Sequence, residues 1–149
     1  MSVPAGDVVT LAVPARAELL GLVRLVVTSV ATTVAGFDAV RLDDVRLAVS
    51  EACANAIEAY GRLGRVDATV TVRLRAAPGH LVVEVSDDAG GFDPSALVPH
   101  PPVETPERLQ HERGLGVPLM RQLADDLDFT GEAGGTTVRM AFGLARRAG

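Results

Sequence analysis

The sequence predicts an α+β domain built as a two-layer sandwich, with a mostly antiparallel, mixed sheet covered on one face by helices. Three observations point there. Long segments repeat apolar residues at helical spacing, shorter ones alternate apolar with polar residues, and each clear alternating run has one apolar and one more polar side. A sheet with a single apolar face needs cover on that face alone, which the helices supply. At 149 residues the chain is one domain, 1–149, large enough to bury a core without disulfides or a structural metal.

The elements follow in order. TLAVPA, residues 10–15, reads as a short strand stopped by Pro14, whose ring removes a backbone donor. Leu19, Val23, Val26, Val27, Val30 and Val34 then recur at helical intervals. A second helix over 41–60 repeats the stripe through Leu42, Val45, Val49, Ala52, Cys53, Ala56, Ile57 and Tyr60. Asp43 and Asp44 lie near its positive end, and Gly61 and Gly64 stop it. Val70, Val72 and Leu74 next alternate with Thr71, Arg73 and Arg75, and Leu81, Val83 and Val85 alternate with Val82, Glu84 and Ser86. The intervening AAPGH closes a hairpin. DPSALVPHPPVETPERLQHE, 93–112, holds Pro94, Pro99, Pro101, Pro102 and Pro106 without periodicity; a loop this long in a compact domain is a functional lid or a linker. Residues 117–127 read as a helix with Pro118 in its first turn. GGTTVRMAF ends the pattern as a strand, with Val138, Met140 and Phe142 opposite Thr137, Arg139 and Ala141.

Composition removes several function classes. The formal net charge of -5 gives no attraction to a phosphate backbone or an anionic membrane, and 3% aromatic residues with no Trp leave little surface for base stacking. Neither nucleic acid nor a membrane is an expected partner. The most apolar stretch, 19–35, carries Arg24 and follows no basic leader with a cleavage site. Cys53, the only cysteine, falls on the apolar stripe of its helix, which indicates core packing and suits the reducing cytoplasm. His80, His100 and His111 are scattered without ligand spacing, so no zinc site is expected.

Three places could carry chemistry. In SEACANAIEAY, Glu51, Asn55 and Glu58 share one helix face roughly opposite the apolar stripe. That face is either a solvated surface or a site in which Asn55 offers a neutral oxygen to Mg²⁺ and Glu51 acts as a base. In VEVSDDAGGFDP, alternation aims Asp87 inward with Val83 and Val85 while Asp88 points out. An inward carboxylate needs a partner, either a backbone turn or a ligand amine such as that of adenine, with Gly90 and Gly91 permitting close approach. In ERGLGVPLMRQL, Gly114 and Gly116 precede a helix, as a plain glycine cap or as a phosphate seat on the helix dipole. Neither a Walker loop nor a dinucleotide fingerprint is present.

Taken in order, E-x-x-x-N on a helix, an inward Asp with glycines after a strand, a Pro-rich loop, R-G-L-G opening a helix and a final G-G-T strand resemble the N, G1 and G2 boxes of the Bergerat-fold ATPases. Within that superfamily, SEACANAIEAY, VSDDAGGFDP, RGLGVPLMRQLADDLDF and GGTTVRMAF are most similar to the anti-sigma-factor serine kinases of the RsbW type. The resemblance spans about 41–142. It implies that ATP and Mg²⁺ are the cofactors, that Asn55 is the Mg²⁺ ligand and that Glu51 is the general base. It further implies that Asp87 accepts a hydrogen bond from the adenine amine, that Gly91 lies beside the base and that Thr136 supports it through water. Arg113, Gly114, Leu115 and Gly116 would belong to the phosphate-binding turn, with Arg113 steadying the γ-phosphate, and the loop at about 93–113 would be the ATP lid. One departure is Ala89, where the pattern has glycine; a left-handed backbone there would cost alanine about 1–2 kcal/mol.

The same resemblance implies the biology. The expected activity is phosphorylation of a serine or threonine on a STAS-type anti-anti-sigma protein, combined with sequestration of a sigma factor by a homodimer. A module that binds sigma factor without kinase activity is the alternative, and replacing Glu51 separates the two.

Overall fold

Periodicity becomes structure in a computed structural model that describes residues 7–88, 116–132 and 135–144. The elements are β1 (Val8–Pro14), a 3₁₀ turn (Ala17–Leu19), α1 (Leu20–Thr32), α2 (Ala39–Arg62), β2 (Thr69–Ala77), β3 (His80–Asp87), α3 (Gly116–Leu123), β4 (Asp126–Glu132) and β5 (Gly135–Phe142). The strands form one sheet in the order β1-β2-β3-β5-β4, and every described pairing is antiparallel. The inward sides of β2 and β3, with Val70, Val72, Leu74, Leu81, Val83 and Val85, are buried, as are Val23 and Val27 of α1 and Val45, Val49 and Cys53 of α2. Each fully buried aliphatic of this kind contributes roughly 1.5–3 kcal/mol. The expected two-layer α+β arrangement is borne out. Among the described residues no helix is long and apolar enough to cross a membrane.

Cys53 is 1% exposed, and burial pushes its thiol up to about 12. It packs as a small apolar side chain.

The long helix α2 organises the molecule. Asp38 caps it by accepting the Arg41 N–H at 2.8 Å. The Arg41 side chain, 3% exposed, then joins three elements. It donates to the Gly143 carbonyl at 2.7 Å and the Leu123 carbonyl at 3.0 Å, and it meets Asp44 at 3.2 Å. Its Nη2 lies 2.7 Å from Asp125 Oδ1, an ion pair not aligned as a hydrogen bond, and its guanidinium stands 5.3 Å from the Phe142 ring centre. A buried cation is tolerated only where such partners surround it.

Two boundaries differ from the sequence reading. The helix expected over 117–127 ends at Leu123, and Asp126–Glu132 is a fifth strand. Ala124 N–H closes the last helical turn on Met120 O at 2.9 Å, whereupon Asp125 N–H turns to Ala141 O, also at 2.9 Å, and diverts the chain onto β5. Leu127 then lies opposite Met140 and Phe129 opposite Val138. Helix α2 also runs through Gly61, and it is Gly64, with φ +66, that reverses the backbone.

Candidate active site

The 3.6-residue period of α2 brings Glu51 and Asn55 onto one face, and the start of α3 packs against that face. Both side chains are half-buried. Gly116, the first residue of α3, lies so close that a Cβ there would sit 3.0 Å from Glu51 Oε2, 3.1 Å from Asn55 Nδ2 and 3.3 Å from Asn55 Oδ1. A side chain would fill the space into which the carboxylate and the carboxamide point. Among the described residues neither side chain has a hydrogen-bond partner. The donor set, one carboxylate and one carboxamide beside a helix N-terminus, consists of hard oxygens beside a positive dipole end. It fits a magnesium-bound phosphate group.

A second corner lies at the end of β3. Asp87 is paired in register with Thr136 of β5, which is 7% exposed. Gly135 crosses so closely that a Cβ there would come within 2.3 Å of the Asp87 carbonyl oxygen, so no other residue fits without moving the strand. The alternation argument is borne out in direction: Asp87 lies on the inward side with Val85, and Asp88 is exposed. Helix α2 links the two corners. From Glu51 to Tyr60, which touches Asp88, the axis advances about 13 Å at 1.5 Å per residue.

Of the sequence-derived candidates, Glu51, Asn55 and Gly116 are brought together, and Asp87 and Thr136 face each other across one pair of strands. Gly91, Arg113, Gly114, Leu115, the departure at Ala89 and the lid at about 93–113 lie outside the described residues. Sequence reasoning missed Gly135 as a close-approach position and Tyr60 as anything beyond a core residue. The signal for Gly135 was available, since it precedes Thr136 in a strand where glycine is otherwise costly.

Comparison with known proteins places this chain in a class. The chain matches the histidine kinase-like ATPase domain over residues 13–142, and it belongs to that family. Its curated relatives include the serine-protein kinase RsbW of Bacillus pumilus, 33% identical over 91% of this chain and 86% of that protein. Serine-protein kinase RsbW of Bacillus subtilis is 32% identical over 87% of this chain and 82% of its own length. Among solved structures, the RsbU and RsbW domains of a Mycobacterium tuberculosis protein superpose with a TM-score of 0.65 at 19% identity, covering 94% of this chain and 32% of that one. At that identity the likeness concerns the fold.

Proposed function

We propose that this chain is an ATP-dependent serine/threonine protein kinase that acts as an anti-sigma factor. It phosphorylates a STAS-type anti-anti-sigma protein and sequesters a sigma factor, as a homodimer in the cytoplasm. The observation that carries the reading is the approach of Gly116 to Glu51 and Asn55, which sets a carboxylate and a carboxamide against a glycine at the start of α3. The relatives named serine-protein kinase support the reaction class.

Mg-ATP, when bound, supplies the phosphoryl group and the charge neutralisation on which such transfers depend. The chain's residues orient and exchange protons. Glu51 accepts the proton of the incoming hydroxyl at its carboxylate, a role worth typically 10²–10⁴-fold. Asn55 holds the metal through its side-chain oxygen, and the backbone at Gly116 offers the positive end of α3 to phosphate. Asp87 orients the adenine amine, and Thr136 supports the base beside it.

The test is incubation with labelled Mg-ATP and a STAS-domain protein, wild type beside Glu51→Ala. The wild type transfers label, and Glu51→Ala loses at least about a hundredfold in rate while still binding ATP and sigma factor. Equal labelling by both defeats the role of Glu51. Labelling by neither, with sigma binding intact, identifies a binding module instead.

A further inference from the structure

Helix α2 ends in a turn whose geometry reaches the nucleotide corner. Arg65 N–H bonds Tyr60 O at 3.1 Å and Gly64 N–H bonds Gly61 O at 3.1 Å, with Gly64 at φ +66. This is the doubled, left-handed helix ending in which the second residue past the cap folds back on the last turn. That second residue is Arg65. Its guanidinium lies 5.1 Å from the centre of the Tyr60 ring, within the range of cation–π attraction.

Both side chains converge on Asp88, the residue after the candidate adenine acceptor Asp87. Tyr60 Oη accepts the Asp88 N–H at 2.7 Å, and Arg65 Nη1 donates to the Asp88 carbonyl at 2.7 Å. The Asp88 carboxylate receives the Tyr60 hydroxyl and lies 3.4 Å from Arg65 Nη1. Tyr60 has one proton to share between that carboxylate and the Thr69 carbonyl at 2.9 Å; the charged acceptor is the stronger. Every polar group of Asp88 is thereby held. On the opposite side Gly135 presses against the same peptide, a Cβ there falling 3.2 Å from Asp88 Cα.

A residue confined this way is more than core packing requires, because Asp88 and Arg65 are substantially exposed, with side-chain exposures of 68% and 40%. Exposed ion pairs contribute little to stability. What the contacts do constrain is the backbone next to Asp87.

We propose that Arg65, Tyr60 and Asp88 form a positioning clasp that aims Asp87 at the base of the bound nucleotide, so that the C-terminal turn of α2 sets affinity at the adenine end of the site. This rests on the nucleotide reading of Asp87. The residues of the clasp touch Asp87's backbone neighbour at the end of α2 away from Glu51 and Asn55, so the consequence is confined to one end. A misplacement well under an ångström costs less than the hundredfold that an ångström costs at a reacting centre.

Arg65→Ala tests the clasp, with Arg65→Lys as its conservative partner. Calorimetric titration is made with Mg-ATP and with Mg-tripolyphosphate, which lacks the base. Arg65→Ala should weaken Mg-ATP on the order of tenfold and leave tripolyphosphate within about twofold; Arg65→Lys should recover part of the loss, and the KM for ATP should follow. Tyr60 is the only tyrosine and the chain has no tryptophan, so intrinsic fluorescence reports the clasp directly. Mg-ATP should change that emission in the wild type. Unchanged ATP affinity in Arg65→Ala, equal loss for both ligands, or a loss matched by a lowered melting temperature overturns the clasp and leaves the nucleotide reading intact. A wild type that binds no adenine nucleotide overturns both.

Discussion

Helix α2 carries two polar clusters that differ in almost every physical respect. Near its start, Arg41 is buried and contacts Asp44, Asp125, Leu123, Gly143 and Phe142. Three turns on, Glu51 and Asn55 are half-buried and project toward a glycine that leaves space in front of them. The first cluster is enclosed and its charges are paired, so its worth lies in joining α2, the end of α3 and the end of β5. The second has no hydrogen-bond partner among the described residues. Within one helix, the enclosed cluster reads as structure, and the open one is where the proposed chemistry falls.

That contrast can be broken from either side. The largest effect is expected for Arg41→Ala, which leaves buried Asp44 and half-buried Asp125 without their cation and should cost about 3–5 kcal/mol in chemical denaturation. If stability instead changes by less than about 1 kcal/mol, the enclosed cluster is not structural. Gly116→Ala comes next and should act in the opposite sense. The atoms nearest its Cβ are the far ends of two side chains, so folding survives, but Glu51 and Asn55 must turn aside. Kinase rate or Mg-ATP affinity should fall roughly ten- to a hundredfold with little change in melting temperature; unchanged kinetics would show that the recess is not used.

The smallest effect concerns pH at the far turn of the same helix. Burial, with the hydrogen bond to Asp88, pushes the Tyr60 hydroxyl up to about 12, above its ordinary value of about 10. The same hydrogen bond, with Arg65's charge, holds the Asp88 carboxylate below its usual range. For Tyr60 the folded value is the higher one, so its contribution to stability is complete below pH about 10 and drains away as pH rises toward 12. Near-ultraviolet absorbance follows this single phenol, and Asp88→Asn should move its titration back down; an unmoved titration would show that the carboxylate does not hold Tyr60.

What the sequence made legible follows the range of the interactions. Local periodicity sufficed for both long helices, for the β2–β3 hairpin and for the alignment of Glu51 with Asn55, because each depends on neighbours a few residues away. Strand β4 was lost because Leu123 and Leu127 are four residues apart and imitate another helical turn, while Asp126, Asp128 and Thr130 on its outer side supply no apolar signal. The Arg41 cluster joins residues separated by 82 and 102 positions, and no window along the chain contains it. The closeness of Gly116 to Glu51 is likewise set by how α3 docks on α2. Residue types named the ingredients of the site; packing decided their distances.

Leu144 shows that the two ends of the sheet are finished differently. Its side chain lodges against Gly36 and Gly79, where the α1–α2 connection meets the β2–β3 turn, and a Cβ on Gly36 would come within 2.7 Å of it. Since Phe142 pairs with Leu81 while Thr136 pairs with Asp87, the strand end that leads into this leucine lies about 20 Å along the strands from Asp87. A fluorophore at residue 144, itself 53% exposed, would ride at the far end of the strands from Asp87, a vantage from which energy transfer to a dye on a bound partner could be read.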